Sequence, residues 1–473
     1  MLTLEREQTS WGNVMNIETK KSPRSSLSWV TRFSYAFPAM ALAVIGIPVY
    51  VYLPKFYTDT MGISISSVGI LLMAVRIFDA LTDPVIGYVS DTTSTRFGRR
   101  MPFIAIGSVG LSIAILFLFI PPISSGIDLT LYFGFWLFAL FLFWTLVTIP
   151  YESLGPELTT DYHERTTLFG LRDGFLIGGT LLAAAFPVMI DWGIELLNHQ
   201  STENLRFSIM AYIYSPMIIL SSLICIWKVK EVPAFSDVRK NAFFQGLVDV
   251  IKNRPFVILL TAYTISAFGS NLPATLILYY VEYVLQADHA EGFLLIYFIT
   301  GIVFLPFWVW ISKKIGKKNA WIISMIINTG AFTGVYFLGA GDVELYGILV
   351  FVSGIGFGAG LALPSSIQAD VIDYDELMSG ERREGRYIGL WSIAKKMAAA
   401  FGIGIGLLLL GSTGYQPNVE QGKETADMLR ILYALVPSIC NGLSILIIYF
   451  YPITEKYHAQ IRKEIELKKG LKT

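Results

Sequence analysis

The sequence predicts an all-α integral membrane protein with twelve transmembrane helices arranged as two six-helix pseudo-repeats. The first observation is composition, since 54% of the 473 residues are hydrophobic and only 15% are charged, against about 25% charged in a soluble domain. The second is a set of twelve apolar runs, each close to the roughly 20 residues that one membrane-spanning helix needs. The third is a basic turn that recurs in both halves of the chain.

The apolar runs set the boundaries of the predicted domains. They lie at 33–53, 67–90, 102–122, 130–154, 168–190, 207–227, 255–283, 291–311, 320–340, 343–369, 387–411 and 429–452. The predicted units are an N-terminal tail at 1–32, a first bundle at 33–228, a linker at 229–254, a second bundle at 255–452 and a C-terminal tail at 453–473.

Basic residues orient the array. Of the 36 lysines and arginines, we place 29 on the side that carries both tails, four on the other side and three within apolar runs. Because cytoplasmic loops carry an excess of lysine and arginine, we expect both termini to be cytoplasmic and the protein to span the cell (inner) membrane.

The same composition excludes several classes of function. Equal numbers of basic and acidic residues, 36 of each, leave no positive surplus for binding nucleic acid. No nucleophile–base pair or metal cluster is recognisable, so we expect neither an enzyme nor a cofactor beyond a coupling ion. The two cysteines, Cys225 and Cys440, lie in apolar runs, which predicts small buried side chains. The four histidines lie in connectors or the tail, so ion coupling inside the membrane would have to use carboxylates. They are His163, His199, His289 and His458.

The recurring basic turn follows the second apolar run of each half. It ends in Phe-Gly-Arg-Arg at 97–100 and in Ile-Gly-Lys-Lys at 315–318. A parallel internal repeat of this kind is typical of major facilitator transporters, whose substrate site lies between the halves near mid-membrane.

Residues around the first turn are candidates for gating. We expect Asp91 to cap or pair across a helix end, and Arg99 and Arg100 to lock a closed cytoplasmic face. For Lys313 and Lys314 beside the second turn, ordinary positive-inside charges are the favoured interpretation.

Charged residues inside the second apolar run indicate an ion site. Asp79 and Asp83 are four residues apart and share one helix face, with Arg76 one turn earlier. Each isolated charge at a helix centre costs roughly 2.5–3.5 kcal/mol, and stacked carboxylates repel unless a cation or proton lies between them. The alternative is an Arg76–Asp79 pair that ties helices together, with Asp83 capping near Pro84.

The fourth run carries further polar groups. Pro150 removes a backbone donor and predicts a kink, while Thr145 and Thr148 offer oxygens toward an ion or a substrate. Glu152 either faces the cavity or pairs with a cytoplasmic arginine such as Arg165.

Three more basic residues are candidates for the cavity. Arg172 could bind a hydroxyl pair or an anion bidentately, or close a gate with Glu157. Lys395 and Lys396 follow Trp391, a candidate for substrate binding, about two turns into an apolar helix. Adjacent residues diverge by about 100°, so we expect one lysine to face the cavity and the other to snorkel.

Several motifs carry a resemblance to a known family. They are Arg-Ile-Phe-Asp-Ala-Leu-Thr-Asp-Pro-Val-Ile-Gly at 76–87, Arg-Phe-Gly at 96–98, Ala-Asp-Val-Ile-Asp-Tyr at 369–374 and Gly-Tyr-Gln-Pro-Asn at 414–418. In this order they resemble the glycoside–pentoside–hexuronide:cation symporter family, whose best-known member is melibiose permease. The resemblance covers roughly residues 33–452.

The resemblance implies roles for individual residues. It implies a cation site at Asp79, Asp83, Thr82 and Thr145, a lysine near both sites at Lys396 and a sugar-binding arginine at Arg172. The sequence departs from the family near Leu42 and at Thr148, where sugar-binding aspartates are expected, and at Glu152, which replaces a tryptophan. A galactoside substrate is therefore not expected.

The expected function is cation-coupled import of a sugar, glycoside or sugar acid by alternating access, with sodium or protons as the coupling ion. Loss of two carboxylates beside Arg172 and Lys396 favours an anionic substrate. We expect a monomer whose partners are its substrate and the lipid bilayer. The alternatives are a lysolipid transporter of the same fold and a non-transporting membrane sensor.

Overall fold

The protein is described by a computed structural model, which covers residues 27–93, 95–122, 128–159, 162–197, 200, 202–231, 250, 252–287, 290–380 and 383–470. These residues form helices and connections, with no strand among them. The helices are α1 (Trp29–Thr60), α2 (Ile65–Thr92), α3 (Met101–Phe119), α4 (Leu129–Leu158), α5 (Tyr162–Leu196), α6 (Glu203–Lys228), α7 (Arg254–Tyr283), α8 (Ala290–Ile315), α9 (Lys317–Tyr336), α10 (Val343–Ser379), α11 (Glu384–Ser412), α12 (Lys423–Tyr449) and α13 (Glu455–Gly470).

Helices α1 to α12 confirm the predicted array of twelve spans. Eleven of them are long and apolar enough to cross a membrane. The twelfth, α9, is less apolar because it begins with Lys-Lys-Asn at 317–319. Its 20 residues still extend about 30 Å at 1.5 Å per residue, the thickness of a bilayer core.

Successive spans run in opposite directions, so an even number returns the chain to the face from which it started. Trp29 begins α1 and Tyr449 ends α12 at the same face, which we call the termini face. The other end of the bundle is called the distal face.

Helix pairing repeats between the halves. In the first half α3 packs against α4 and α6, and in the second half α9 packs against α10 and α12. The corresponding pair α2 and α4 recurs as α8 and α10. This correspondence is the structural form of the repeat that the two basic turns indicate in the sequence.

The halves meet chiefly where α2 packs along α11, with further contact between α5 and α8. Glycine allows this close approach, because a Cβ placed on Gly404 would collide with Met73 and one placed on Gly69 would collide with Leu407. Both positions lie toward the distal face.

Buried hydrophobic residues form two clusters. The larger joins the halves and includes Leu72 of α2 beside Leu407 of α11. The smaller lies within the second half toward the termini face, around Phe256, Trp321 and Ile372. The core is therefore continuous across the halves toward the distal face, whereas toward the termini face each half has a core of its own.

The ends of the chain differ in detail from expectation. Helix α1 begins at Trp29, inside the predicted tail at 1–32, and residues 1–26 of that tail lie outside the described residues. Most of the predicted linker at 229–254 also lies outside them. The tail at 453–473 contains α13, which buries Ile461 and Ile465 and packs against the end of α10.

Candidate cation and substrate site

The ion site predicted on α2 receives a lysine from the other half of the protein. Asp79 and Asp83 share one face of α2, and the Nζ atom of Lys396 on α11 lies 2.9 Å from Asp79 Oδ2 and 2.5 Å from Asp83 Oδ2. The two aspartate side chains are 7% and 17% exposed. One ammonium group therefore compensates two nearly buried carboxylates across the interface between the halves.

The second oxygen of each carboxylate faces Thr145 on α4. The Thr145 hydroxyl donates to Asp79 Oδ1 at 2.9 Å and lies 3.4 Å from Asp83 Oδ1. Two carboxylate oxygens and a hydroxyl oxygen thus converge on the side away from Lys396. Hard cations such as sodium prefer an all-oxygen set of this kind.

Arg76 supports the site from one turn earlier. Its Nη1 lies 3.4 Å from Asp79 Oδ2, and its guanidinium stacks over the ring of Tyr50 at 4.1 Å. Part of the structural alternative is therefore present, because Arg76 and Asp79 do pair. Asp83 does not act as a cap beside Pro84, since its carboxylate binds Lys396.

Thr82 differs from expectation. Its hydroxyl donates to the backbone carbonyl of Asp79 at 3.1 Å. A threonine hydroxyl often bonds to its own helix in this way, so the structure does not bring Thr82 into the oxygen set around Asp79 and Asp83.

Glu152 and Arg172 line the side of the cavity formed by the first half. Glu152 is exposed in the middle of the protein and lies within range of the charges of Arg172, Asp83 and Lys396. Of the two interpretations, the structure therefore supports a cavity-facing Glu152. Arg172 pairs with the adjacent Asp173 at 2.7 Å and does not contact Glu157.

Thr148 lies between Thr145 and Glu152 on the same face of α4, given spacings of three and four residues. Its hydroxyl is buried and has no hydrogen-bond partner among the described residues. A buried polar group without a partner in the protein indicates a place for a ligand or water.

The second half contributes a cavity of about 670 Å³. Its lining comes from the middle of α7 and α10, from the parts of α9 and α11 nearer the termini face, and from single stretches of α8 and α12. The polar and aromatic lining residues include Tyr263, Asn271, Asn328, Gln368, Trp391 and Lys395. The wall therefore presents amide side chains, which can hydrogen-bond to hydroxyl groups, beside the aromatic rings of Tyr263 and Trp391.

The aromatic part of the wall is rigid. Trp391 stacks on Tyr263 with ring centroids 4.1 Å apart and is 8% exposed. Lys395 lines the same cavity. The expectation that one of the two adjacent lysines snorkels is therefore wrong: Lys396 reaches the aspartates, and the turn of about 100° between neighbours directs Lys395 into the cavity.

The predicted gating residues form an ionic cluster at the termini face. Arg99 Nη2 lies 2.8 Å from Glu157, and Arg100 lies 2.8 Å from Glu157 and 2.7 Å from Asp91. The pairing of Asp91 across a helix end is present. The cluster joins α2, α3 and α4 within the first half, so in this conformation the arginines do not lock the two halves together.

Arg165 also stays within the first half. Its guanidinium donates to the backbone carbonyls of Pro156 at 2.9 Å and Thr159 at 3.3 Å. It therefore holds the end of α4 rather than pairing with Glu152.

At the distal face, further polar contacts join the two halves, and these were not found from the sequence. Tyr415 and Tyr283 donate to Asp59 at 2.6 and 2.8 Å, Lys55 lies 2.8 Å from Asp59, and Asn418 donates to the backbone carbonyl of Asp59 at 2.7 Å. We call these five residues the distal clasp. Burial raises the pKa of Tyr415 far above its usual value, so its hydroxyl stays protonated and keeps donating.

The sequence carried a signal for some of the missed residues. Asn271, Asn328 and Gln368 are isolated amides within apolar runs, and polar groups at such depth mark a pathway or binding site. The clasp had a weaker signal, because Asp59 resembles an ordinary residue at the end of a span.

Several known proteins are similar to this chain. The family model described as MFS/sugar transport protein matches residues 34–455. The glucuronide carrier protein homolog of Escherichia coli (strain K12) is 27% identical, over 94% of this chain and 96% of that protein.

Two other similar proteins bear on fold and substrate. The sodium-dependent lysophosphatidylcholine symporter 1 of Xenopus tropicalis is 24% identical, over 94% of this chain and 91% of that protein. The crystal structure of a D-xylose–proton symporter superposes with a TM-score of 0.60 at 16% identity, covering 90% of this chain and 97% of that chain. At that identity the likeness concerns the fold alone, which is the major facilitator fold.

Proposed function

The chain belongs to the family of MFS/sugar transport proteins, and we propose that it is a cation-coupled symporter that imports a sugar, a glycoside or a sugar acid by alternating access. The observation that carries this proposal is Lys396 of the second half, bound between Asp79 and Asp83 of the first half at 2.9 and 2.5 Å. Because Lys396 joins the halves through these two carboxylates, a cation that binds the carboxylates would also change the contact between the halves.

Coupling follows from competition for the two carboxylates. A sodium ion or a proton bound at Asp79, Asp83 and Thr145 supplies the positive charge that Lys396 supplies in this structure, and so weakens the hold of the aspartates on the ammonium. Lys396 is on the same helix as Trp391 and Lys395, which line the cavity. If the cation raises the affinity for substrate, the substrate must raise the affinity for the cation by the same factor.

The proposed orientation places both termini in the cytoplasm and the protein in the cell (inner) membrane, following the distribution of lysine and arginine. The distal face is then external. With the distal clasp formed and the cavity reaching toward the termini face along α9 and α11, the conformation in this proposal is inward-facing. In this proposal the transporter acts as a monomer and needs no cofactor beyond the coupling ion.

The cavity wall supports a polar, hydroxyl-rich substrate. Asn271, Asn328 and Gln368 offer hydrogen bonds beside the stacked rings of Tyr263 and Trp391, and such rings suit the apolar face of a pyranose. On the opposite side the Arg172 guanidinium binds the neighbouring Asp173 in this conformation, and a substrate carboxylate could take the place of Asp173. Similarity to a glucuronide carrier homolog supports sugar acids within this class.

The second candidate is a lysolipid, because a similar protein is a lysophosphatidylcholine symporter. An acyl chain needs an extended apolar chamber. The apolar recess beside the cavity, lined by residues such as Ile277, Phe332 and Leu349, has a volume of about 90 Å³. The main cavity is larger, at about 670 Å³, and it carries the amide side chains of Asn271, Asn328 and Gln368, which favours the sugar over the lipid.

The test is uptake of labelled sugars and sugar acids into proteoliposomes under an imposed sodium gradient, with a proton gradient in parallel. We expect accumulation that Asp83→Asn reduces at least tenfold. Glu344→Gln removes an exposed carboxylate at the distal end of α10 and is the matched control, for which we expect wild-type accumulation.

Each outcome separates one part of the proposal. Undiminished gradient-driven uptake by Asp83→Asn would refute the cation site. Accumulation with protons alone would identify the proton as the coupling ion. Failure with every sugar, together with uptake of labelled lysophosphatidylcholine, would replace the proposed substrate class by the lipid.

A further inference from the structure

The two basic turns of the internal repeat share a glycine in the left-handed region but differ in their surroundings. Gly98 and Gly316 each adopt a positive φ, of 109° and 85°. Two basic residues follow each glycine at the start of a membrane-spanning helix, α3 in the first half and α9 in the second. Free backbone N–H groups at such a helix start attract an anion.

In the first half a carboxylate of the chain occupies this position. The backbone N–H groups of Arg99 and Arg100 donate to Glu231 at 2.7 and 3.2 Å, and Arg99 Nε lies 3.4 Å from the same carboxylate. A Cβ placed on Gly98 would collide with Glu231. The first turn is therefore a filled anion site.

In the second half the same position is open. A Cβ placed on Gly316 would meet nothing within 4 Å, and no side chain caps the start of α9. A groove of about 600 Å³ lies there, between the turn, the end of α12 and the start of α13. Five lysines line it against two carboxylates, Asp370 and Glu455.

The lysines of the groove fall into two groups. Lys317 is held by Asp370 at 2.6 Å, and Lys318 donates to the backbone carbonyl of Tyr451 at 3.2 Å. These contacts fix the shape of the turn. Lys313, Lys314 and Lys456 also line the groove, and their positive charge is left for a ligand.

A buried hydroxyl in the groove has no partner. Tyr451 lines the groove and is 2% exposed, yet its hydroxyl makes no hydrogen bond to any described residue. Burial and the nearby Asp370 carboxylate raise the pKa of Tyr451, so the hydroxyl stays neutral and able to donate. An unpaired buried hydroxyl beside a cluster of lysines suits an oxygen-rich anion.

Aromatic side chains indicate the depth of the groove in the membrane. Trp310, Tyr449 and Phe450 are each more than half exposed around it, and exposed aromatic residues of this kind gather at the level of the lipid headgroups. Trp310 also precedes Lys313 and Lys314 by three and four residues, which places all three on one face of α8. The groove therefore opens toward the headgroups of one leaflet.

We propose that this groove binds the phosphate headgroup of an anionic phospholipid in the leaflet at the termini face. The phosphate takes the place that Glu231 holds in the first half, against the start of α9, and its charge is met by Lys313, Lys314 and Lys456. Basic pockets between membrane-spanning helices bind anionic headgroups in this manner. The bound lipid ties α8 and α9 to α13.

The test is a titration of the purified protein in detergent with short-chain phosphatidylglycerol, followed by thermal unfolding. Phosphatidylcholine of the same chain length and inorganic phosphate are the comparison ligands. We expect only phosphatidylglycerol to raise the unfolding temperature. With about 1 kcal/mol per lysine near an anionic lipid, Lys313→Gln/Lys314→Gln should weaken its apparent affinity roughly tenfold to thirtyfold.

The controls separate specific binding from net charge and from misfolding. Lys423→Gln/Lys463→Gln removes the same charge outside the groove and should leave the affinity unchanged. Tyr451→Phe should weaken it about fivefold, as loss of one hydrogen bond predicts. Equal effects of phosphatidylglycerol and phosphatidylcholine, an unaffected double variant, or full stabilisation by inorganic phosphate alone would each overturn the lipid assignment.

Discussion

The two ends of the molecule differ in whether the bonds of their charged side chains cross between the halves. At the distal face the clasp crosses from one half to the other, from Asp59 of α1 to Tyr283 and Tyr415. At the termini face the ion pairs Arg99–Glu157 and Lys317–Asp370 each remain within one half. The distal bonds therefore join the two halves, whereas the ion pairs at the termini face stabilise each half by itself.

The largest expected effect comes from the group that joins the halves between these two ends. In Lys396→Met the carboxylates of Asp79 and Asp83 lose their shared ammonium, and breaking a buried ion pair costs about 3–5 kcal/mol. We expect cation-driven accumulation to fall about a hundredfold, measured as labelled uptake in proteoliposomes. Lys395→Met, one residue earlier, should weaken substrate binding yet keep the cation requirement. Equal loss of cation dependence in both variants would contradict the assignment of Lys396.

A smaller effect is expected from the distal clasp itself. Asp59→Asn keeps the shape of the side chain but removes the charge that Lys55, Tyr283 and Tyr415 share. Loss of hydrogen bonds to a charged group should shift the balance toward distal opening by about 2 kcal/mol, or roughly thirtyfold. Hydrogen–deuterium exchange of the backbone amides at the distal end of α7 should rise accordingly.

The matched control for the clasp is Glu420→Gln, which removes an exposed carboxylate from the same connection between α11 and α12. Its exchange pattern should remain that of the wild type. If both variants raised exchange equally, the cause would be the loss of negative surface charge in general and not the loss of the distal clasp.

The termini face should respond differently. Glu157→Gln weakens the pairs with Arg99 and Arg100, which are 16% and 5% exposed, and each lost charged hydrogen bond should destabilise the protein by about 1–3 kcal/mol. We expect a lower unfolding temperature with no change in amide exchange at the distal face. A shift in distal exchange would mean that this cluster also reports on the transport state.

The smallest effect is expected from Tyr415→Phe. One hydrogen bond to Asp59 is removed while the ring contacts remain, so distal opening should increase by about 1 kcal/mol, or roughly fivefold. The same exchange measurement should detect it as a fraction of the effect of Asp59→Asn. An effect as large as that of Asp59→Asn would mean that the Tyr415 hydroxyl, rather than the charge of Asp59, supplies most of the free energy of the distal clasp.

Much of the fold and part of the site follow from the sequence. Twelve apolar runs and the repeated turn predict the two bundles because each span must satisfy its own backbone in the membrane. Asp79 and Asp83 are fixed by helical spacing within one span, so their common face is a local property that the sequence determines.

What the sequence could not determine are contacts between distant segments. The resemblance implies that Lys396 lies near the cation site, but residue spacing cannot show this, because Lys396 and Asp83 are 313 residues apart and only the packing of α11 on α2 brings them together. The clasp has the same character, since Asp59 and Tyr415 are 356 residues apart. Thr82 is a different case: the resemblance implies a cation-site hydroxyl there, and in the structure that hydroxyl donates to the backbone carbonyl of Asp79.

Helix α11 has a mechanical consequence. It runs without a break from Glu384 to Ser412 and carries both Lys396 and the glycine contact at Gly404, eight residues or about 12 Å along its axis. Because the helix is continuous, a tilt that moves Gly404 away from Met73 must also move Lys396 relative to Asp83. The glycine contact and the proposed ion site are then two positions on one continuous helix, and no chain of intermediate side chains is needed to connect them.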